Sequence, residues 1–393
     1  MQIGLWFIRG QWLLSDNACM TTLEITPREA LQRQRAGALL LDVREPHEQA
    51  TGMAEGAIPL PLGEVLQRIA DVVPDHTREI LAICAHGPRS LRAAQALQQI
   101  GYASVVSVAG GTARWIGEGL PVAKPGGDED FYDRYSRHLS LPEVGEDGQR
   151  KLEDSRVVIL GAGGLGSPAA FYLAAAGVGT LVIADDDVVE RSNLQRQILH
   201  ADDRIGVSKL DSAAQTLRAL NPRVKIEGLP ARVTSANVEM LLDGADVVLD
   251  GADNFPVRYL LNDACVKLAK PLVYGAVQRF QGQVSVFDAG RQRGRAPCYR
   301  CLFPRPPAAA DAPNCSEAGV LGVLPGVVGM LQATEAIKLI LGIGEPLVGR
   351  VLMFDALSMR FHETRLAPDP ECPICAVGKP FPGYADYERF CAG

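Results

Sequence analysis

Apolar residues fall in short runs separated by polar stretches of helical period along most of the chain. ALLLDV (38–43) and EILAIC (79–84) are apolar blocks of strand length. TPREALQRQRAG (26–37) and LRAAQALQQIG (91–101) carry apolar positions at helical spacing. This alternation predicts an α/β domain over residues 22–122. PVAKPGGDED (121–130), rich in Pro, Gly and acid, reads as a linker. A second α/β pattern starts near Phe131 and extends to residue 393. Its strands are RVVILG, TLVIAD, ADVVLD and KPLVYGA. GQVSVF and RVLMF follow without long helices between them, which predicts antiparallel members and a mixed sheet. FPRPPAAADAPNCSEAG (303–319) reads as a mobile loop.

Composition narrows the function classes. The chain has 393 residues, 47% hydrophobic and 22% charged, with a formal net charge of −7. An acidic balance argues against nucleic acid as the main ligand. Val157–Ala184 contains no charged residue, but six glycines and Pro168 interrupt it. Strand, glycine turn, helix and strand describe that stretch better than a membrane span. The N-terminus lacks a charged n-region and a long apolar core, so no signal peptide is expected. Residues 1–19 read as an extension ahead of Met20. Nine cysteines, four of them in two C-x-x-C pairs, point to metal and thiol chemistry in the cytoplasm rather than to disulfides.

The run CAHGPRS (84–90) joins a strand end to a helix start. Ser90 is the expected N-cap of that helix. Turn amides and the helix N-terminus would converge on the Cys84 sulfur, and Arg89 would add positive charge. Such a field stabilises a thiolate. Cysteine phosphatases space Cys and Arg as C-x5-R around a phosphate; here the spacing is C-x4-R, a smaller cradle suited to a persulfide sulfur. The loop resembles that of the rhodanese (sulfurtransferase) family, as do LLLDVREPHEQATGMAEGAIPLPLGEV (39–65) and GGTARWIGEGLPV (110–122). The resemblance implies that Cys84 accepts and passes on a sulfane sulfur, with Asp42 and Arg44 as scaffold.

RVVIL, then GAGGLG (161–166), then SPAAFYLAAAG is a strand, a glycine loop and a helix, a dinucleotide-fold signal. Gly161, Gly163 and Gly164 let the backbone approach phosphates, and Asp185 at the next strand end can accept ribose hydroxyls. On that evidence alone an NAD-dependent oxidoreductase is the default. SNLQRQ adds Ser192, Asn193, Leu194, Gln195 and Arg196, and GVSKL adds Lys209, donors suited to a triphosphate. LDGADNF puts Asp253 and Asn254 at a strand end, with Asp253 positioned for magnesium. Cys298, Cys301, Cys372 and Cys375 form a four-thiolate zinc signal across 70 intervening residues (302–371).

Together, RYSRHL, GAGGLGSPA, SNLQRQ, DGADN, CYRC, NCSEAG and ECPIC make residues 131–377 resemble the MoeB/ThiF family of ubiquitin-activating-like adenylyltransferases. The resemblance implies a Rossmann-like adenylation domain with a mixed sheet and a zinc knuckle. It implies ATP, Mg2+ and Zn2+ as cofactors. The implied substrate is the C-terminal glycine of a small ubiquitin-like sulfur-carrier protein, serving molybdenum cofactor, thiamine or another sulfur-requiring pathway. The sulfur would come from a persulfide donor such as a cysteine desulfurase, or from thiosulfate. Arg137 would act across a homodimer interface. Cys315 would be a second thiol, forming an acyl-disulfide or thioester with the carrier, or a loop cysteine without chemical role. In fused members of the family the sulfurtransferase-like block follows the adenylating one; here it is N-terminal. A nucleotide-binding regulator without catalysis is the alternative from another class; Arg137, Lys209 and Asp253 weigh against it.

Overall fold

A computed structural model describes residues 24–124, 128–305 and 319–387. The chain divides into two compact units, Met1–Ser136 and Arg137–Gly393.

Among the described residues the first unit has seven strands: β1 (Glu24–Ile25), β2 (Leu39–Asp42), β3 (Met53–Ala54), β4 (Ile58–Pro59), β5 (Ile80–Ile83), β6 (Val105–Val108) and β7 (Val122–Ala123). Five form a parallel sheet in the order β1-β6-β5-β2-β4, and β3 pairs antiparallel with β7. Central strands of a parallel sheet are covered on both faces, so every residue of β2 and β5 is buried. The side chains alternate between two cores. Leu39, Leu41, Ile80 and Ala82 face one, and Leu40, Leu81 and Ile83 face the other. Val122–Ala123, read from sequence as domain edge and linker, is strand β7. A helix Glu129–Arg134 follows and packs on the helix Pro46–Ala50.

The second unit carries β8 (Arg156–Leu160), β9 (Thr180–Ala184), β10 (Lys225–Leu229), β11 (Val247–Asp250), β12 (Leu272–Gln278), β13 (Gln281–Phe287), β14 (Arg350–Asp355) and β15 (Arg360–Arg365). They form one mixed sheet in the order β10-β9-β8-β11-β12-β13-β14-β15. The first five are parallel, and β13, β14 and β15 add on antiparallel. β10 and β15 were not evident in the sequence, since β10 is a polar edge strand and every residue of β15 is exposed. The chain runs outward from β8 to β10 and then crosses back to β11. The carboxyl ends of β8 and β11 therefore flank the switch point where open α/β sheets bind ligands. Val157–Ala184 is strand, loop, helix (Gly166–Ala176) and strand, as its glycines predict. The helix Leu324–Leu341 is long and apolar enough for a membrane span by length and composition. It packs on the helix Gly166–Ala176 and on β12 and β13, which accounts for its apolar character.

Candidate functional site

Cys84 directly follows β5 and is buried. Its sulfur accepts the Gly87 amide at 3.0 Å. The Ser90 hydroxyl lies 3.4 Å from the sulfur, 2.8 Å from the Gly87 carbonyl and 3.0 Å from the Ser107 hydroxyl. Ser90 is not the N-cap that the sequence suggests. The helix spans Pro88–Gln99 with Gly87 as cap, because Gly87 takes φ +113° and Pro88 suits the first helical position. One turn inside the helix, Ser90 instead turns its hydroxyl back to the sulfur. Burial pushes the thiol up. The Ser90 hydroxyl and the Ser90, Gly87 and His86 amides outweigh it, and the net shift is downward from 9.0. Thr112 holds the Cys84 carbonyl through its amide (2.7 Å) and hydroxyl (3.2 Å). The Arg89 guanidinium forks onto Glu48, with both contacts at 2.6 Å. Asp42 and Arg44 form a buried pair that braces β2, with Arg44 also donating to the Gly52 carbonyl.

In the second unit, the loop after β8 and the loop after β11 meet. A Cβ on Gly251 would stand 2.4 Å from the Leu160 carbonyl. Gly166 begins the helix so close to Gly161 that a Cβ would sit 1.8 Å from the Gly161 carbonyl oxygen, so only glycine fits. Gly163 lies beside Gln197, and Gly164 beside Pro325. Asp185 accepts the Ala162 amide at 2.8 Å and the Asp187 amide at 2.9 Å. It thus ties the glycine loop to the end of β9. Lys209 is buried, and its ammonium reaches Asp187 at 2.7 Å. Ser192 and Asn193 lie in a single 3-10 turn, with Leu194 and Gln195 following it. Arg196 donates to Asn193 Oδ1 at 2.9 Å and to the Ser192 carbonyl at 3.2 Å. Asp253 is exposed after β11. Asn254 caps the helix Phe255–Lys267 through Oδ1 and donates to Asp253 at 3.2 Å. Arg137 is exposed at the start of this unit. Cys315 and residues 306–318 around it lie outside the described residues, as do Cys19 and Cys391.

Three supports of this crevice were missed from sequence. His200 Nε2 donates to the Ala162 carbonyl at 2.9 Å, while Nδ1 meets the Ser212 hydroxyl at 2.9 Å. Burial holds this imidazole below its ordinary 6.5, so it is neutral near pH 7. Arg258 pairs with the buried Asp250 at 2.8 Å and donates to the Ala252 carbonyl at 2.8 Å, which shapes the loop leading to Asp253. The third is Gln197, the last residue of SNLQRQ. Its Oε1 is buried and has no hydrogen-bond partner among the described residues. An orphaned acceptor beside Gly163 of the glycine loop, next in sequence to Arg196, fits a nucleotide whose hydroxyl or bound water donates to it.

The four cysteines of the two C-x-x-C pairs come together at one point. Cys298 Sγ lies 3.9 Å from Cys301 and 3.6 Å from Cys372, and Cys301 lies 3.4 Å from Cys375. These spacings exceed a disulfide bond. A tetrahedron with Zn–S of about 2.3 Å has S–S edges of about 3.8 Å, so the set fits a four-thiolate metal site. The Asp369 amide donates to Cys301 at 3.3 Å, as outer amides do in such knuckles. A separate group of three carboxylates, Asp185, Asp186 and Asp187, follows β9.

The ThiF family model matches residues 135–374, and the rhodanese-like domain model matches residues 26–118. A sulfur carrier protein adenylyltransferase of Thermus thermophilus is 50% identical over 260 residues, 66% of this chain and 96% of that protein. Adenylyltransferase and sulfurtransferase MOCS3-1 of Zea mays is 48% identical over 262 residues, 66% of this chain and 55% of that protein. The crystal structure of E. coli MccB shares the fold, with a TM-score of 0.55 at 22% identity over 65% of this chain and 76% of that one.

Proposed function

The chain belongs to the ThiF family and carries a rhodanese-like domain ahead of it in sequence; from that premise we propose that it adenylates the C-terminal glycine of a small ubiquitin-like sulfur-carrier protein and then supplies sulfur from a Cys84 persulfide. The observation that carries this reading is the pairing, in one chain, of two built sites: a nucleotide crevice at the switch point and a thiol held by amides at a helix start. An acyl-adenylate needs a thiol-borne sulfur only if the sulfur is to end on the carrier.

In the first step a carrier carboxylate oxygen attacks the α-phosphorus of ATP, and pyrophosphate leaves. The glycine loop and the helix N-terminus at Gly166 receive phosphate oxygens, and Asp185 holds the ribose. Lys209 exchanges Asp187 for phosphate, and Arg196 and Asn193 turn from each other to the triphosphate. Ser192, Leu194, Gln195 and Asn254 complete the wall. Asp253 is the carboxylate assigned to magnesium, an ion that offsets phosphate charge when bound. Arg137 contributes to the neighbouring subunit's ATP in a homodimer. In the second step the Cys84 persulfide anion attacks the acyl carbon and AMP leaves, giving an acyl-disulfide. Attack of an external thiol on the Cys84 sulfur releases the thiocarboxylate and leaves a mixed disulfide on Cys84, which a further equivalent of that thiol reduces; Cys315 is assigned as a second thiol that forms an acyl-disulfide or thioester with the carrier. Fusion of the two units raises the effective concentration of donor near acceptor. The four-cysteine cluster holds a structural zinc.

The test is a mass measurement on the carrier. With ATP, a candidate carrier and a persulfide donor, the wild-type chain should replace one carboxylate oxygen of the carrier by sulfur. Cys84→Ala should keep carrier-dependent ATP–pyrophosphate exchange near wild type yet yield no thiocarboxylate. Normal thiocarboxylate output from Cys84→Ala would take the N-terminal unit off the pathway.

A further inference from the structure

We propose that Glu48 sets the donor specificity of Cys84: by holding Arg89 in a two-pronged ion pair it withholds that charge from dianionic donors, so that Cys84 takes sulfur from a persulfide carried on another thiol rather than from thiosulfate. The inference rests on the function proposed above.

Arg89 is the cation that the loop brings to Cys84. Both of its terminal nitrogens are engaged, Nη1 on Glu48 Oε2 and Nη2 on Glu48 Oε1, each at 2.6 Å. Such a fork is the strongest geometry available to a guanidinium and a carboxylate. Glu48 does not depend on Arg89 for its position. It is the third residue of the helix Pro46–Ala50, and Oε2 accepts the Glu45 amide at 3.0 Å in a capping box. Burial pushes the Glu48 carboxyl up, but Arg89 and the Glu45 amide outweigh it, so Glu48 is held below the ordinary carboxylate range and is charged. Glu45 also faces Arg89 through space, and Glu24 Oε1 lies 4.0 Å from where a Gly87 Cβ would be. Glu48, Glu45 and Glu24 thus surround the loop that carries Arg89, while Arg44, the other cation facing Glu48, is itself paired with Asp42.

The two donors differ in what they ask of that mouth. With a thiol persulfide, the Cys84 thiolate attacks the outer sulfur, the sulfur–sulfur bond breaks, and the other thiolate leaves with the electron pair. One negative charge enters and one leaves, and the sulfane sulfur moves without any external oxidant or reductant. With thiosulfate, the same attack expels sulfite. The donor brings two negative charges to a site already holding a thiolate, and the leaving group departs with both. That reaction needs an unpaired cation at the mouth, which the Glu48 fork removes.

Full-length chain with reduced Cys84 is treated with thiosulfate or with glutathione persulfide. The rate at which Cys84 gains the mass of one sulfur atom is read after alkylation. Wild type should load faster from glutathione persulfide. Glu48→Gln should raise the thiosulfate rate about tenfold and leave the persulfide rate within about twofold. Glu48→Met, another neutral side chain of similar length, serves if the glutamine variant does not fold. Glu48→Gln combined with Arg89→Gln should lose the gain. An unmoved donor ratio in either folded neutral variant overturns the inference, as do equal losses with both donors or a gain that survives without Arg89. Loading on Cys84 with an unmoved ratio overturns this inference alone. No sulfur on wild-type Cys84 from either donor overturns the proposed function with it.

Discussion

At the scale of single residues, the chemistry depends on small polar groups aimed at one atom. Ser90 is the clearest case. Its hydroxyl is shared between the Cys84 sulfur, the Gly87 carbonyl and Ser107. Ser90→Ala leaves the Gly87 amide on the sulfur but removes the hydroxyl, and a hydrogen bond to a charged group contributes about 1.5–3 kcal/mol. The midpoint for alkylation of Cys84 should therefore rise by about one pH unit, read as the iodoacetamide rate against pH. An unmoved midpoint would mean that the amides alone hold the thiolate. The same shift bears on stability. The folded thiol lies below 9.0, so its stabilising contribution is present above that value and is lost as pH falls through the lowered folded value.

At the scale of elements, two junctions matter. Between β8 and its helix, Gly161 and Gly166 approach so closely that no side chain fits, and His200 and Asp185 clamp Ala162 from opposite sides. The loop is thereby rigid before nucleotide arrives, which lowers the cost of ordering it on binding. The other junction is the cysteine cluster, which pins the segment after β15 to the short helix Tyr299–Leu302. Beside it Arg300 pairs with the buried Asp263, and Tyr387 donates to the same carboxylate at 2.9 Å. The purified chain should carry about one zinc. Cys372→Ser should lower zinc content, read by elemental analysis, and should lower the melting temperature by about 5 °C or more. Full loss of zinc with unchanged melting would remove the structural role.

At the scale of the whole molecule, the two compact units each hold one chemistry, and the adenylating unit is proposed to work as a pair. Arg137 is exposed, as a residue offered to a second copy must be. Arg137→Ala and Asp253→Ala should each abolish carrier-dependent pyrophosphate exchange. A random mixture of the two should regain about a quarter of wild-type exchange, because half of its dimers are hybrid and each hybrid keeps one of its two sites intact. No recovery in verified hybrids would place Arg137 in its own subunit's site.

What the sequence determined is what neighbours along the chain can encode. Apolar runs placed β2, β5, β8, β9, β11 and β12. The glycine spacing after β8 marked the nucleotide loop, and the C-x-x-C pairs marked the cysteine cluster. Each of these signals sits within one element or one turn, where period, φ preference and ligand spacing act directly. Tertiary structure decided the contacts made across long separations. Glu48 meets Arg89 across 41 residues, His200 meets Ala162 across 38, and Thr112 meets Cys84 across 28. Ser90 reads locally as a cap, yet the helix begins earlier at Pro88 and turns the hydroxyl toward the sulfur instead. β10 and β15 carried no apolar pattern because edge strands need not bury both faces. Such pairings depend on sheet order and on how helices lie against the sheet. No local period reports them, because the groups become neighbours only once the parallel strands have closed.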